Sequence, residues 1–241
     1  MRISIVIPAF NEERLLPETL PTIRAAMEAF DRRGWASELI VCDNNSTDRT
    51  AEIARAAGAR VVFEPVNQIS RARNRGAAEA RGDWIVFVDA DSQPSPELFS
   101  DAADAIAAGH CLAGGSTVAY ANPPIGAAPI IGFWNALSRI MRWAAGSFIF
   151  CEAAAFRAAG GFSEELYAGE EVNLSRRLKR IARRNRRTFL ILHRHPLLTS
   201  DRKLRLYGWG KLTWFMLKTI ASAGRTLHNR RDCFAWYDGK R

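Results

Sequence analysis

The chain has 241 residues, of which 48% are hydrophobic, and it carries a formal net charge of +9. This length suits one large domain, or one domain with an appendage, and the apolar fraction is enough for a buried core. Four scattered cysteines form no Cys-x-x-Cys pair, which argues against a zinc site or a disulfide framework and favours a reducing compartment. The first residues enter an apolar strand directly, so we expect no signal peptide.

The charge is divided unevenly along the chain. Residues 1–175 hold 15 Lys and Arg against 22 Asp and Glu, whereas residues 176–241 hold 19 against 3. A basic C-terminal part of this kind favours an anionic partner, such as nucleic acid, an anionic membrane surface or a diphosphate-bearing substrate. A merely solvated basic tail is the alternative interpretation.

Short apolar runs and helical patterns alternate over the first ninety residues. Asn11 is predicted to cap the first helix, with Glu12 and Glu13 in its first turn. The order β-α-β-α-β-α-β, with crossovers long enough for helices, predicts parallel and right-handed connections. Buried strands are predicted at residues 3–7, 39–42, 61–63 and 84–88.

The second half of the chain is predicted to contain both helices and strands. Ser95 is predicted to cap a helix that runs to about Ala108, and a later helix follows Glu171 with an apolar face at Leu174, Leu178 and Ile181. Further strands are predicted at residues 118–120, 148–151 and 189–192, and further helices at 129–143 and 153–159.

Acidic residues follow two of the predicted core strands. Asp89 and Asp91 come directly after the apolar run that ends at Val88, and Asp43 ends the second strand. In an open α/β sheet, ligands bind at the carboxyl ends of the strands. Carboxylate oxygens suit Mg²⁺ or Mn²⁺, which usually complete their shells with water and phosphate oxygens. A solvated surface turn is the alternative. No Gly-x-Gly-x-x-Gly and no P-loop motif is present, which argues against a dinucleotide cofactor and a P-loop NTPase.

Six segments together, in this order and spacing, resemble family-2 glycosyltransferases, and the resemblance covers roughly residues 3–180. It implies a GT-A fold, which is an α/β architecture with a Rossmann-like, mostly parallel sheet flanked by helices. It also implies an inverting transfer from a nucleotide-diphosphate sugar to an acceptor hydroxyl, with Mn²⁺ or Mg²⁺ on the diphosphate. The segments are Ile5–Glu12, Asp43–Asp48, Ala72–Gly76, Asp89–Asp91, Gly160–Phe162 and Gly169–Leu174.

The resemblance also implies roles for single residues. The general base falls on Glu171, but the family's usual Glu-Asp pair is Glu170-Glu171 here, so either glutamate could serve. His193 is considered as a further metal ligand because it follows the apolar part of the last strand, with a solvated surface histidine as the alternative. The implied nucleotide-sugar contacts are Pro8, Phe10 and Glu12 around base and ribose, Asp43 at the base, Arg73 near the nucleotide and Asp89 at the ribose or sugar. Asp91 is the implied metal ligand.

We therefore predict a GT-A domain over residues 1–200, divided into a nucleotide-sugar half (1–115) and an acceptor half (116–200). Residues 201–241 are predicted as a basic, aromatic-rich, helical C-terminal extension, which could contact a membrane surface, pack on the core or bind a second subunit. The expected acceptor is a saccharide or a lipid-linked molecule. The expected location is cytoplasmic, with peripheral contact at the inner face of the membrane.

Two other functions fit parts of the sequence. A nucleotidyltransferase shares the α/β sheet and the metal-binding aspartates, but usually has a Gly-rich phosphate loop with a lysine after the first strand, where this chain is acidic. A nucleic-acid-binding module could use the basic C-terminus, but no recognised nucleic-acid motif is present, so nucleic acid is disfavoured as a partner.

Overall fold

The computed structural model describes residues 1–120, 123 and 128–237. Its strands are β1 Arg2–Ala9, β2 Ala36–Asp43, β3 Arg60–Phe63, β4 Trp84–Val88, β5 Ser92–Gln93, β6 Cys111–Tyr120, β7 Phe148–Glu152 and β8 Thr188–Thr199. Its helices are α1 Leu16–Asp31, α2 Thr50–Ala56, α3 Ile69–Glu79, α4 Pro96–Ala107, α5 Ala128–Met141, α6 Ala153–Ala158, α7 Glu170–Arg184, α8 Arg202–Ala221 and α9 Phe234–Tyr237, with a 3₁₀ turn at Arg225–His228.

Within the described residues, the strands form one sheet in the order β3-β2-β1-β4-β7-β6-β8-β5. The first four strands in this order are parallel to one another, as are β6 and β8. Strand β7 is antiparallel to both β4 and β6, and β5 is antiparallel to β8. The predicted α/β class with a mostly parallel sheet is therefore confirmed.

Both faces of the sheet are covered, because successive side chains of a strand point to opposite faces. In β1, Ile3, Ile5 and Ile7 pack with the apolar faces of α1 and α4. Val6 points the other way and joins a second core with residues of α6 and α7. Burial on both faces explains why these strands read as continuous apolar runs.

Two local predictions near the helix starts have different outcomes. Ser95 is confirmed as a cap, since its Oγ accepts a hydrogen bond from Leu98 N at 3.2 Å. The prediction for Asn11 is wrong, because α1 begins only at Leu16. Asn11 instead has a left-handed backbone (φ 52°), and its Oδ1 accepts a hydrogen bond from Thr47 N at 2.8 Å. The acidic Glu12 therefore lies in the loop between β1 and α1.

The C-terminal part turns back onto the sheet domain. Helix α8 is interrupted at Gly208, where the backbone is not helical. Beyond it, Leu227 O accepts a hydrogen bond from Tyr167 N at 2.7 Å, so the extension touches the loop that leads into α7. Among the helices described, none combines the length and the apolar character needed to cross a membrane.

The predicted boundary at residue 200 falls two residues before α8 begins. The division into domain and extension stays a prediction. Residues 238–241 of the extension lie outside the described residues, as do residues 121, 122 and 124–127 of the predicted acceptor half.

Candidate active site

The predicted nucleotide-side residues emerge at one edge of the sheet. Strands β2, β1 and β4 are parallel neighbours, so their carboxyl ends lie side by side. Ala9 at the end of β1 pairs with Asp43 at the end of β2. Phe10 and Glu12 follow β1, and Asp89 follows β4, so these positions share the edge where ligands bind in such sheets.

Asp43 stabilises the turn that follows β2 at this edge. Its side chain is buried, and its Oδ1 accepts a hydrogen bond from Ser46 N at 3.0 Å. The donor lies three residues after the aspartate, so this is a local side-chain-to-backbone bond that closes the turn after β2. The next residue, Asn44, is also buried and donates to Val66 O at 2.6 Å. Side-chain hydrogen bonds within the protein therefore fix the conformation of this turn.

Arg73 on α3 joins two of the predicted site carboxylates. Its side chain is 1% exposed, and its two terminal nitrogens donate to Glu170 Oε1 and Asp89 Oδ1, each at 2.7 Å. Burial alone lowers the pKa of the Arg73 guanidinium, but the charges of Asp89 and Glu170 outweigh burial and raise this pKa above its ordinary value. Arg73 is predicted to approach the nucleotide. In the structure the guanidinium is buried and joins the two carboxylates, and its contact with a nucleotide stays a prediction.

The rest of the Arg73 environment comes from two loops. The carbonyl of Gly146 accepts a third hydrogen bond from the guanidinium at 2.9 Å. The guanidinium carbon lies 5.1 Å from the centre of the Phe162 ring, which is a cation–π distance. Arg73 Nε has no hydrogen-bond partner among the described residues. Arg73 therefore fixes the relative positions of β4, α7 and the loop before β7.

Glu171 lies beside this cluster, at the second position of α7. Burial raises the pKa of its carboxyl to about 8, the charge of Glu170 adds to the rise, and Arg73 opposes it. Residue 146, which lies beside both side chains, is a glycine. A Cβ at that position would lie 3.2 Å from an Arg73 nitrogen, which is tight, and 3.6 Å from Glu171 Cγ, which is an ordinary contact. The two adjacent glutamates thus differ, since Glu170 is ion-paired with Arg73 and the pKa of the Glu171 carboxyl is raised.

A second arginine, which is not among the predicted site residues, joins two further predicted site carboxylates. Arg202 donates two hydrogen bonds to the carboxylate of Glu12, at 2.9 and 2.8 Å, and a third to Asp91 Oδ2 at 3.3 Å. Burial alone lowers the pKa of the Arg202 guanidinium, but these carboxylates raise it above its ordinary value. Glu12 is separated from Arg202 by 190 residues, so periodicity and spacing carry no signal for this contact.

His193 is predicted as a further metal ligand beside Asp91, and this role stays a prediction. His193 is exposed, and its Nδ1 lies 3.4 Å from the carbonyl of Ile191 on its own strand. The register of β8 against β6 is irregular just after Leu192. Beyond the end of β8, Ser200 N donates to the backbone carbonyl of Asp91 at 3.1 Å. In the described part of the chain, no three His, Cys, Asp or Glu side chains form a group that could hold a metal.

The donor set is nevertheless chemically suited to a hard divalent ion. Asp89 and Asp91 offer carboxylate oxygens, and Mg²⁺ is commonly held by one or two carboxylates plus water and substrate phosphates. Both side chains are partly accessible, at 22% and 16%. Each of them already contacts an arginine, so an ion at Asp91 would have to share it with Arg202 or replace that contact.

Side-chain amides on α3 and at its N-cap hold the loop before α7, and these contacts were not predicted from the sequence. Asn74 Nδ2 donates to Phe162 O at 2.9 Å, and Asn74 Oδ1 accepts from Phe162 N at 2.8 Å. Gln68 Nε2 donates to Leu166 O at 3.0 Å. Asn74 lies inside the Ala72–Gly76 segment that the resemblance singled out, but the residue type alone does not reveal its partner.

Comparison with solved structures identifies the fold. The chain is similar to residues 1–349 of TarS from S. aureus, with a TM-score of 0.67 at 22% identity, covering 88% of this chain and 64% of that one. It is also similar to glucosyl-3-phosphoglycerate synthase from Mycobacterium tuberculosis, with a TM-score of 0.61 at 22% identity, covering 92% of this chain and 78% of that one. The predicted GT-A type of fold is therefore confirmed.

The family follows from the sequence comparisons. Residues 4–157, more than half of the chain, match the model described as glycosyl transferase family 2, and the chain belongs to this family. It is 35% identical over 119 residues, 46% of the chain, to undecaprenyl-phosphate 4-deoxy-4-formamido-L-arabinose transferase of Pseudomonas paraeruginosa. It is 34% identical over 121 residues, 48% of the chain, to dolichol-phosphate mannosyltransferase of Pyrococcus furiosus. These matches span 34% and 33% of the two relatives' own lengths.

Proposed function

We propose that this protein transfers a sugar from a nucleotide-diphosphate sugar to an acceptor hydroxyl, with inversion at the anomeric carbon. The observation that carries the proposal is the contrast between two adjacent glutamates. Glu170 is 4% exposed and bound to Arg73, whereas Glu171 has a carboxyl whose pKa is raised to about 8. A general base needs a pKa near the working pH, and Glu171 has that property.

In this scheme the acceptor oxygen forms a bond to the anomeric carbon while the bond from that carbon to the diphosphate oxygen breaks. Glu171 takes the hydroxyl proton, and the nucleoside diphosphate leaves with the electron pair. Glu170 is a positioning residue, since its carboxylate accepts a hydrogen bond from Arg73. Inversion follows from a single in-line displacement, in which attack and departure occur on opposite faces.

The donor would bind at the carboxyl ends of β1, β2 and β4. We propose that Pro8, Phe10 and Asp43 surround the base and ribose, and that Asp89 contacts the ribose or the sugar. A divalent ion, Mn²⁺ or Mg²⁺, held by Asp91 with substrate oxygens, would supply positive charge to the leaving diphosphate. The M. tuberculosis neighbour has been crystallised with Mn²⁺, UDP and phosphoglyceric acid, which supports testing UDP and Mn²⁺ first.

The experiment is a transfer assay on matched variants. Glu171→Gln should lose transfer by a factor of about 10²–10⁴, the usual contribution of a general base, while donor affinity stays close to that of the wild type. Glu170→Gln should instead lower the melting temperature, because it leaves Arg73 with one carboxylate fewer. If Glu171→Gln keeps full transfer, the assignment of the base is refuted.

A lipid phosphate is the second candidate acceptor, and the relatives' names favour it. Two of them are named for undecaprenyl phosphate and dolichol phosphate. A phosphate oxygen is already ionised at neutral pH, so transfer to it needs no general base. The two acceptors are therefore distinguished by the same variant: with a polyprenyl phosphate as acceptor, Glu171→Gln should retain most of its rate.

A lipid-linked acceptor would require contact with a membrane, and we propose a cytoplasmic protein that binds the inner face peripherally. Trp214 and Leu217 on α8 are 68% and 55% exposed, in a C-terminal part with a large excess of Lys and Arg. Helix α5 adds Phe133 and Ile140, which are 65% and 79% exposed. Exposed apolar side chains beside cations favour an anionic lipid interface.

Vesicle sedimentation tests this contact. At low salt, the protein should sediment with phosphatidylglycerol vesicles and not with phosphatidylcholine vesicles, and Trp214→Ser with Leu217→Ser should weaken the binding. A protein that ignores anionic vesicles at low salt has no such membrane contact.

A further inference from the structure

Arg202 links the predicted donor site to the C-terminal helix. It is the first residue of α8, and its guanidinium forms a two-bond fork on Glu12 with a third bond to Asp91. The side chain is 19% exposed, so most of this contact is shielded from water. Fork contacts of an arginine with a carboxylate are among the stronger hydrogen bonds in proteins.

A guanidinium and a divalent ion need the same oxygens. Arg202 reaches Oδ2 of Asp91, and a metal held by Asp91 would need that carboxylate too. Two cations on one carboxylate repel each other. The guanidinium has only hydrogen-bond donors and no lone pair, so it cannot itself coordinate the ion. The contact with Asp91 in this structure is therefore a competitor of metal binding.

We propose that Arg202 is a resident cation at Asp91, which a divalent ion must displace before it binds. The inference depends on the proposed function only for the choice of Asp91 as the metal ligand. Because Arg202 begins α8, the position of the C-terminal extension decides whether the guanidinium reaches the two carboxylates. Metal affinity and the position of α8 are then linked.

The surroundings offer a place for the displaced side chain. A cavity of about 520 Å³ is lined by Arg202 and by residues of the β1–α1 loop. Glu13 and Asp48 also line it and offer alternative carboxylate partners. Rotation of the long arginine side chain toward them would release Asp91, and it would also loosen the anchor that Arg202 gives the first turn of α8.

The test is a calorimetric titration of the full chain with Mn²⁺ alone, without nucleotide. Arg202→Gln should bind Mn²⁺ at least about tenfold more tightly than the wild type, because the ion no longer has to break a charge-assisted hydrogen bond. The matched control is Arg205→Gln, which removes the same charge from the same helix turn. Arg205 pairs with Asp201 at 2.6 Å, so this variant should keep wild-type affinity. Equal or weaker Mn²⁺ binding by Arg202→Gln overturns the inference.

A second measurement uses the wild-type protein and does not depend on the variant folding. Saturating Mn²⁺ should increase backbone hydrogen exchange in residues 202–207, because the anchor of the first turn of α8 is released. Unchanged exchange at saturating Mn²⁺ also overturns the inference. Neither measurement uses a sugar donor, so the inference can hold while sugar transfer fails, and transfer can occur while Arg202 proves irrelevant to the metal.

Discussion

Replacement of Arg73 by methionine tests the architecture of the candidate site most directly. Arg73→Met keeps most of the side-chain volume but removes the positive charge and every donor. Glu170 then loses its partner at 5% side-chain exposure, whereas Asp89 keeps 22% and can be partly solvated. Most of the cost should therefore arise at Glu170.

The magnitude follows from the burial of the pair. Breaking a buried ion pair by removing one partner costs about 3–5 kcal/mol of stability. In a chain of this size each kcal/mol lowers the melting temperature by about 2–4 °C, so Arg73→Met should melt roughly 6–20 °C below the wild type.

Thermal unfolding followed by circular dichroism measures the fall in melting temperature. The matched control is Arg75→Gln on the same helix, where Arg75 pairs with Glu79 at 3.4 Å and both side chains are well exposed. Such a surface pair is worth about 0–1 kcal/mol, so the control should melt within a few degrees of wild type. If Arg73→Met melts with the control, the buried cluster does not hold the site together.

Three further predictions follow from the same cluster. The pKa of Glu171 is raised from 4.5 to about 8, so the folded state binds more protons than the unfolded state between these values. The free energy of unfolding should therefore fall as the pH rises from about 4.5 to 8, and Glu171→Gln should remove that slope in urea titrations at several pH values. An unchanged slope would mean that another group carries it. Gly146→Ala should lower the rate of transfer, since its Cβ would meet an Arg73 nitrogen at 3.2 Å. The control Gly132→Ala points into open space on helix α5, so it should leave the rate unchanged and slightly raise the free energy of unfolding, because alanine favours a helix interior. Asn74→Ala removes both hydrogen bonds to Phe162, so it should lower the free energy of unfolding in chemical denaturation by about 1–3 kcal/mol. A loss below about 0.5 kcal/mol would mean that these two bonds do not hold the loop before α7.

The elements that sequence reasoning predicted well are those whose burial leaves a pattern. Strand β4 is predicted with its observed bounds, because all five of its residues are buried and apolar. Strand β6 is predicted far too short, since Gly114 and Gly115 look like breakers of regular structure. In the fold, Gly114 is required by close packing, because a Cβ there would lie 2.5 Å from the ring of Phe150. A glycine inside a strand signals such an approach only once the neighbour is known.

In the candidate site, too, some features are predictable from local sequence and others depend on distant partners. The acidic residues at strand ends are predictable, because parallel strands bring their carboxyl ends to one edge. Their partners are not predictable, because Arg73 meets Glu170 across 97 residues and Arg202 meets Glu12 across 190. Each arginine is one of many in a basic chain, and nothing in its local sequence marks it as buried and paired.

We propose that the carboxyl ends of β1, β2 and β4 bind a nucleoside diphosphate together with a divalent ion. A thermal-shift panel of UDP, GDP, CDP, ADP and TDP, each with and without Mn²⁺, tests it directly, since a ligand at 100 times its Kd stabilises the fold by about 2.7 kcal/mol. We predict that one of these nucleotides raises the melting temperature only when Mn²⁺ is present, and that Asp91→Asn abolishes the shift. If no nucleotide shifts the melting temperature under either condition, the claim is contradicted.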